Sequence, residues 1–463
     1  MRRDITYGMP LGRVLVAGLG KSGVAAVSYF LKHPDIFDSL TVVDSSSNPR
    51  LLSEIEKIAG FDKVNTLFGI DELDVDQTFD TCVMSPGFSP LSPMYRSIEE
   101  HTDKIISEIE FAYGQSEGDW VAITGTNGKT TTTALTTHML KGAGIDAISV
   151  GNIGTPAIEA VETARKDSVF VAEVSSFQLH AIDTFKPRVC ALLNITPDHI
   201  NWHGTLENYA DDKARVFKNC GQGDVVLLNS DDTETRKVVS PAERTGADVI
   251  GISRADEEIF TWAKPDELNI KGPHNISNAL FAAHIARAFG VDDAKIASAL
   301  KSFLPVEHRL ELVVTRGGVQ WYNDSKATNP DAVFKALSAF ESQPLILLVG
   351  GRNKGNRFLE LARYAFAKPN IKEVICFGEA KNTLFDDFSS VERELVGFDE
   401  SNVRTSVRAT MTDAVERAQE RALPGDCVLL SPANASFDEF SSFEHRGREF
   451  VRLVGNESAK RLS

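Results

Sequence analysis

Residues 125–130 read Gly125-Thr126-Asn127-Gly128-Lys129-Thr130, directly after the apolar run Trp120-Val-Ala-Ile-Thr124 and before a helix-like stretch from Thr131 to Lys141. Two glycines in so short a turn let the backbone double back and aim several N–H groups at one anion. Lys129 has the reach to meet the outer phosphates of a nucleotide, and the hydroxyl of Thr130 or Thr131 suits Mg²⁺. The chemistry implied is the cradling of a nucleoside triphosphate. The plainer reading is a glycine-rich strand-to-helix connection with a surface lysine. A generic phosphate loop would have a glycine at position 123, where this chain has Ile123 inside the strand. The Gly-Thr-Asn-Gly-Lys-Thr-Thr form is a narrower pattern.

Further ligand-type side chains follow at the ends of apolar runs. Glu173 closes Val169-Phe-Val-Ala172, and a carboxylate at a strand's C-terminal end lies where open α/β sheets place ligands. The alternative is an exposed strand-end glutamate. His199 follows the run Val189 to Leu193 within Asn194-Ile-Thr-Pro-Asp198-His199. A lone histidine more often serves packing, but one beside a neighbouring strand end that bears Glu173 reads as a ligand. His, Glu and phosphate oxygens together suit Mg²⁺ or Mn²⁺. A helical pattern over 203–217 aligns Leu206, Tyr209, Lys213 and Phe217 on one stripe. By composition alone Lys213 lays its stem along apolar surface. Asn275 and Asn278, one turn apart at the start of another helix, either face one ligand or cap the helix.

The elements that position these groups recur. An apolar strand, a glycine-rich turn and a helical pattern appear conspicuously three times, at Arg13-Val-Leu-Val-Ala-Gly18, at 120–141 and at Pro344-Leu-Ile-Leu-Leu-Val-Gly-Gly351. That is the signature of parallel α/β units. The chain has 463 residues, and single cores stop growing near roughly 250–300. Boundaries near 105 and 308 are expected, giving domains 1–105, 106–308 and 309–463. No apolar run approaches the roughly 20 residues that span a bilayer, and Val14-Leu-Val-Ala-Gly18 is too short for a signal segment. A cytoplasmic protein without membrane insertion is expected. With 49 basic against 65 acidic residues the net charge is −16, a poor surface for nucleic acid. Clustered backbone N–H groups still permit a small anionic ligand. Five scattered cysteines without a Cys-x-x-Cys pair read as free thiols of a reducing compartment.

Taken in order, Gly125–Thr131, Gly151-Asn152-Ile-Gly154, Glu173-Val-Ser-Ser-Phe-Gln178, Asn194–His199 and the segment around Lys213 resemble the Mur ligase family. That family builds the peptide of the bacterial cell-wall precursor, and folylpolyglutamate synthases are its relatives. The resemblance covers nearly the whole chain. It implies an α/β fold of three domains: N-terminal Rossmann-like, central P-loop ATPase-like and C-terminal Rossmann-like. It implies ATP bound by Gly125, Thr126, Asn127, Gly128, Lys129, Thr130 and Thr131, with the adenine against Asn275 and Asn278. Arg309 would meet phosphate or ribose, Asp324 the adenosine and Lys326 the γ-phosphate. The resemblance further implies a carbamate formed from CO₂ on Lys213. With Thr130, Glu173 and His199 it would hold two Mg²⁺ (or Mn²⁺) ions bridging ATP and a substrate carboxylate. Lys129, Lys213, His199 and Lys326 are thus the expected catalytic residues.

The stretch Leu430–Phe450 resembles the branch of the family that adds D-glutamate. On that resemblance Ser436 and Phe443 hold one carboxylate, and Thr328 and Lys354 help with the side chain. Arg352 and Asn353 depart from it, standing where smaller acidic and glycine residues are expected. Gly18-x-Gly20-x-x-Gly23 with Asp44, read alone, fits a dinucleotide fingerprint and an NAD-dependent dehydrogenase. Such an enzyme has no use for a phosphate loop at 125–130. The resemblance instead places the UDP of UDP-N-acetylmuramoyl-L-alanine here. Gly18, Leu19, Gly20, Lys21 and Ser22 would lie near its diphosphate, Asp44 and Ser45 near uracil, with Ser85 and Gly87 as further contacts. Asn152 would touch the substrate or a phosphate. Folylpolyglutamate synthases lack this first segment. The expectation is an ATP-dependent amide-forming ligase of peptidoglycan synthesis, and so of cell shape and division. It would act as a monomer on UDP-N-acetylmuramoyl-L-alanine, D-glutamate and ATP through an acyl phosphate. A ligase for a different amino acid is the alternative. Because an acyl phosphate must be kept from water, closure of the third domain over the second is expected.

Overall fold

The computed structural model describes residues 11–46, 55–58, 60–152, 155–255, 261–270, 272–304, 307–340, 343–353, 355, 357–396 and 404–455. Three open sheets organise them. The first contains β1 (Arg13–Ala17), β2 (Ser39–Asp44), β3 (Asn65–Phe68), β4 (Thr81–Met84) and β5 (Ile105–Ser107), in the order β3-β2-β1-β4-β5 and parallel throughout. The second contains β6 (Asp119–Thr124), β7 (Ala147–Gly151), β8 (Val169–Glu173), β9 (Val189–Leu192), β10 (Val225–Asn229) and β11 (Asp248–Ile252). Its order is β11-β10-β9-β6-β8-β7, again parallel. The third contains β12 (Glu311–Arg316), β13 (Val319–Asn323), β14 (Leu345–Gly350), β15 (Ile371–Phe377), β16 (Thr405–Val407) and β17 (Cys427–Ala433). It runs β12-β13-β17-β14-β15-β16, with only the β12–β13 pair antiparallel.

The uninterrupted apolar character of the central strands follows from burial on both faces. In β14, Leu345, Leu347 and Val349 enter one core while Ile346 and Leu348 enter the other. In β1, Val14 and Val16 likewise oppose Leu15 and Ala17. All five cysteines are buried free thiols. Among the described residues no helix is long and apolar enough to cross a membrane.

The chain forms two compact units, residues 1–265 with 277–302, and residues 266–276 with 303–463. The first unit holds the first two sheets, which share one apolar core. A buried carboxylate staples them. Glu110 accepts from the backbone N–H groups of Asp183, Thr184 and Phe185 and from the Thr184 hydroxyl, at 2.7–3.0 Å. Glu108, two residues earlier, accepts from Ile158 N–H at 2.7 Å, at the start of the helix Ala157–Thr163.

One element departs from the sequence reading. The helical pattern over 203–217 is not one helix. A short helix Ile200–His203 stops at Gly204, Thr205 caps a second helix Leu206–Ala214, and a 3₁₀ turn Arg215–Phe217 follows. Thr205 Oγ1 accepts from Asn208 N–H at 3.1 Å, so the chain restarts there.

Candidate active site

In the second sheet β6 lies between β8 and β9. The loop after β6 is therefore flanked by Glu173, which ends β8, and by the chain leaving β9. It turns through Gly125 (φ 153°) and Gly128 (φ 88°) into the helix Lys129–Gly142. A Cβ on Gly128 would lie 2.4 Å from Asn278 Oδ1, and one on Gly125 would lie 3.0 Å from Leu193 Cβ. Asn194 braces the loop. Its carbonyl accepts from Thr126 N–H and its Oδ1 from Asn127 N–H, both at 2.9 Å. Its Nδ2 donates to Asn127 O at 2.9 Å. Thr126 Oγ1 also donates to Thr196 O at 3.1 Å and meets the Tyr209 hydroxyl at 3.1 Å. With Gly128 at its start, the helix Lys129–Gly142 has no side-chain cap, and a helix N-terminus favours an anion.

Two lysines converge on one carbonyl. Lys129 Nζ donates to Gly125 O at 2.7 Å and to Thr126 O at 2.9 Å, and Lys213 Nζ donates to Gly125 O at 2.9 Å. Lys213 is 1% exposed and its Nζ lies 4.5 Å from the centre of the Tyr209 ring. Burial, and then the nearby positive charge of Lys129, hold its amine well below the usual lysine range. Glu173 is buried. Its Oε1 accepts from Asn152 Nδ2 at 3.1 Å, while Oε2 is buried with no hydrogen-bond partner among the described residues. Asn152 N–H also donates to Glu173 O at 2.9 Å, so Asn152 stands with Glu173 on the second sheet. Thr130 and Thr131 are both buried, and Thr131 Oγ1 has no partner.

His199 adopts the left-handed conformation (φ 52°), its side chain half exposed and 3.7 Å from the Asp198 carboxylate. Desolvation and the positive fields of Lys213 and Lys129 outweigh Asp198 and lower its pKa. Among the described residues no group of three His, Cys, Asp or Glu side chains could hold a metal by itself. The Glu173 oxygen and Thr131 hydroxyl that have no hydrogen-bond partner among the described residues are ligand types that suit a divalent ion beside phosphate oxygens.

Behind Lys213 runs a buried chain of hydrogen bonds that the sequence did not announce. Asp212 Oδ1 lies 2.8 Å from His180 Nδ1, and Oδ2 lies 2.9 Å from His203 Nδ1. His203 Nε2 lies 3.0 Å from Ser176 Oγ, on the helix that begins three residues after Glu173. The Lys213 helix is thereby tied to the segment after β8. Only the adjacency of Asp212 to Lys213 could have hinted at it.

At the C-terminal edge of the first sheet, Gly18 (φ 86°) packs so closely that a Cβ would lie 2.7 Å from Ser85 Cβ. A Cβ on Gly23 would lie 1.8 Å from Gly18 O, so the helix Lys21–Lys32 sits hard against the turn. Gly20 and Lys21 are exposed at that helix's start, Ser22 is half-buried, and Leu19 is buried. Asp44 is buried. Leu19 N–H donates to its Oδ2 at 2.6 Å and Ser46 N–H to its Oδ1 at 2.7 Å. Ser45 and Gly87 are exposed and Ser85 half-buried near the same edge.

The helix Pro273–Ala288 carries Asn275 and Asn278, 5% and 4% exposed, so both amides point into the protein rather than to bulk solvent. The division between the two compact units falls within this helix, after Ile276.

In the second unit the loop after β13 carries Asp324 and Lys326. Asp324 is buried, accepting from Ser431 Oγ at 2.8 Å and from Leu310 N–H at 3.3 Å. Desolvation pushes its carboxyl up to about 7, against those hydrogen bonds and the charge of Arg309. His308 (φ 64°) and Leu310 (φ 44°) flank half-buried Arg309 in a strained turn. Lys326 Nζ lies 5.4 Å from the centre of the Phe443 ring. Ser436 is 2% exposed, Phe443 and Thr328 are half-buried, and Lys354 lies outside the described residues. The buried Arg446, which bonds both Ser325 and the backbone before Ser436, was not singled out from the sequence. Its place on an apolar stripe with Phe450 and Val454 was the available signal.

Three family descriptions match the chain in succession. The Mur ligase MurD-like N-terminal domain matches residues 12–120, the Mur ligase middle domain 123–286 and the Mur ligase glutamate ligase domain 308–434. A UDP-N-acetylmuramoylalanine–D-glutamate ligase of Thermoanaerobacter sp. (strain X514) is 37% identical, the match covering 96% of this chain and 98% of that one. One from Koribacter versatilis (strain Ellin345) is 38% identical, covering 96% and 97%. Among solved structures, UDP-N-acetylmuramate-alanine ligase from Thermotoga maritima matches with a TM-score of 0.56 at 16% identity, covering 96% and 99%. That likeness speaks to the fold.

Proposed function

Because the chain belongs to the Mur ligase family, we propose that it joins D-glutamate to UDP-N-acetylmuramoyl-L-alanine, converting ATP to ADP and phosphate. The observation that carries the phosphoryl chemistry is the convergence of Lys129 and Lys213 on Gly125 O, at 2.7 and 2.9 Å. Two amines on one carbonyl, one of them buried, form a site that an anion would relieve. An incoming γ-phosphate offers Lys129 a better partner than its own loop. The substrate carboxylate attacks that phosphorus, ADP leaves, and an acyl phosphate results. Lys129, the N–H groups of residues 125–131 and Lys326 neutralise the charge that develops on the transferred oxygens.

The amine of D-glutamate then attacks the acyl carbon, phosphate departs, and the nitrogen loses a proton as the amide forms. Lys213, whose burial lowers its amine well below the usual lysine range, can take up CO₂ as a carbamate with release of a proton. Glu173, His199, Thr130 and that carbamate would hold two Mg²⁺ or Mn²⁺ ions, which would further stabilise charge on the phosphoryl oxygens. His199 and Glu173 act as ligands and carry no proton.

Asn275, Asn278, Arg309 and Asp324 take the nucleoside end of ATP. Ser436, Phe443, Thr328 and Lys354 hold the amino acid. The edge of the first sheet (Gly18, Leu19, Gly20, Lys21, Ser22, Asp44, Ser45, Ser85 and Gly87) takes the UDP portion, and Asn152 the near end of the substrate. Domain limits of 1–105, 106–308 and 309–463, a monomeric state and a cytoplasmic place of action complete the reading.

Phosphate release with UDP-N-acetylmuramoyl-L-alanine, ATP and a panel of amino acids tests it. D-glutamate is expected to support turnover, and preference for L-lysine or L-alanine would overturn the specificity. Lys129→Ala should abolish turnover, and an unimpaired variant would mean that this loop does not hold ATP.

A further inference from the structure

Arg446 is fully buried on the helix Phe443–Gly455, yet among the described residues no carboxylate bonds to it. Its five contacts are all neutral oxygens on two loops. Nε donates to Ser325 Oγ at 2.9 Å and Nη2 to Ser325 O at 2.8 Å. Nη1 donates to Asn434 O at 3.1 Å and Ala435 O at 3.3 Å, and Nη2 also reaches Asn434 O at 3.1 Å. Ser325 Oγ in turn donates to Phe443 O at 2.8 Å.

A buried guanidinium without an ion pair is costly in desolvation. Burial lowers its pKa to about 10, partly offset by the more distant charges of Asp438, Glu439 and Asp324. A buried methionine or leucine would fill such a space at less cost. What the guanidinium supplies is a rigid planar fork of donors, and the fork spans two loops that bear different parts of the site. Ser325 stands between Asp324 and Lys326. Asn434 and Ala435 precede Ser436, and Phe443 begins the helix that carries Arg446.

The second loop needs such a brace. Ala433 adopts a left-handed φ of 63°, a strained state that persists only where the surroundings over-determine it. Arg352 N–H also donates to Ala435 O at 2.7 Å. Glycine at 351 keeps the junction open, because a Cβ there would lie 2.3 Å from Ala435 O and 2.9 Å from Arg446 Nη1.

We propose that Arg446 is a positioning residue that fixes the spacing between the Asp324–Lys326 loop and the Ser436–Phe443 amino-acid site. Its effect on turnover rests on the proposed function, and its effect on the loops does not. Arg446→Lys keeps the charge and loses the fork. Ser325→Ala keeps the arginine and removes the hydroxyl that links it to Phe443 O.

In steady-state phosphate release by the full-length protein, the KM for D-glutamate should rise about tenfold in Arg446→Lys and severalfold in Ser325→Ala, as expected for lost buried charge-assisted bonds. The KM for UDP-N-acetylmuramoyl-L-alanine should stay within twofold. Hydrogen–deuterium exchange should quicken together in peptides covering 323–328 and 433–437, and not across the rest of the second unit. Unchanged exchange in both loops, or equal quickening throughout that unit, overturns the proposal. So does a loss shared equally by all three substrates. If the wild-type protein does not turn over D-glutamate, the functional reading fails, and the exchange arm still decides the clamp.

Discussion

Replacing Gly128 by alanine adds one methyl group to the phosphate loop at φ 88°, where its carbon would lie 2.4 Å from Asn278 Oδ1. An L-residue in that conformation costs roughly 1–2 kcal/mol. The contact must also be relieved. Asn278 is 4% exposed, and moving its amide disturbs buried hydrogen bonds at about 1–3 kcal/mol. Together these give roughly 2–5 kcal/mol, or about 4–20 °C at the 2–4 °C per kcal/mol typical of large domains. Gly290→Ala isolates the first contribution. Gly290 has φ 79° and no atom within 4 Å of an added Cβ, so only backbone strain applies there. Thermal unfolding of both variants, with the KM for ATP of each, makes the comparison. Gly128→Ala should melt lower than Gly290→Ala and alone should weaken ATP binding, by about tenfold or more. Equal melting temperatures with an unchanged KM for ATP would refute the argument that this glycine exists to clear Asn278.

Two further outcomes follow from buried groups. Burial raises the Glu108 carboxyl from 4.5 to about 7, opposed by the N–H groups of Ile158 and Ala157. A raised carboxyl pKa means that the folded state binds the extra proton, so its contribution to stability is full below 4.5 and is lost as pH rises through about 7. Wild-type protein should therefore lose more stability than Glu108→Gln between pH 5 and pH 8 in urea denaturation, and identical pH dependence would count against the assignment. Lys213→Arg replaces the primary amine on which the proposed carbamate would form with a guanidinium. Turnover should fall by roughly 10²-fold or more, and near-normal phosphate release from that variant would remove the carbamate from the scheme.

The loops that make the site were legible because each is local. A buried parallel strand reads as an apolar run, and a glycine at its end marks the turn that must pass close to a neighbour. Gly125, Gly128, Gly18 and Gly23 all meet that description in the structure. The helix expected from Thr131 to Lys141 spans Lys129–Gly142. What the sequence left dark joins residues far apart along the chain. Glu110 holds a loop some 74 residues later, Asp212 reaches His180 across 32, and Arg446 reaches Ser325 across 121. No periodicity encodes such pairings. The break at Gly204 is a different failure. Gly204-Thr205 is a stop followed by a cap, and the alignment of Tyr209, Lys213 and Phe217 on one stripe obscured it.

The first segment shows how a correct motif can suggest the wrong partner. Glycines at 18 and 23 are required by geometry alone, since the turn packs against Ser85 and the helix against Gly18 O, whereas a Cβ on Gly20 would meet only Ser85 Oγ at 3.7 Å. They report a tight turn at a helix start, where an anion is well received, and do not say which nucleotide it would be. Asp44 is the residue that would have chosen NAD, by accepting from a ribose hydroxyl. Its oxygens each accept one backbone N–H, at 2.6 Å from Leu19 and 2.7 Å from Ser46, and each keeps a further lone pair for a ligand. Its carboxylate therefore shapes the turn, pulling Leu19 inward and presenting Lys21 and Ser45 outward. In the second sheet Lys129 and Lys213 both donate to the Gly125 carbonyl, a crowding of donors that an incoming anion would relieve. Discrimination between the two readings thus rests on which polar groups the fold leaves unsatisfied. Among the described residues those beside the phosphate loop include Glu173 Oε2 and the hydroxyls of Thr124, Thr131, Thr132 and Thr133.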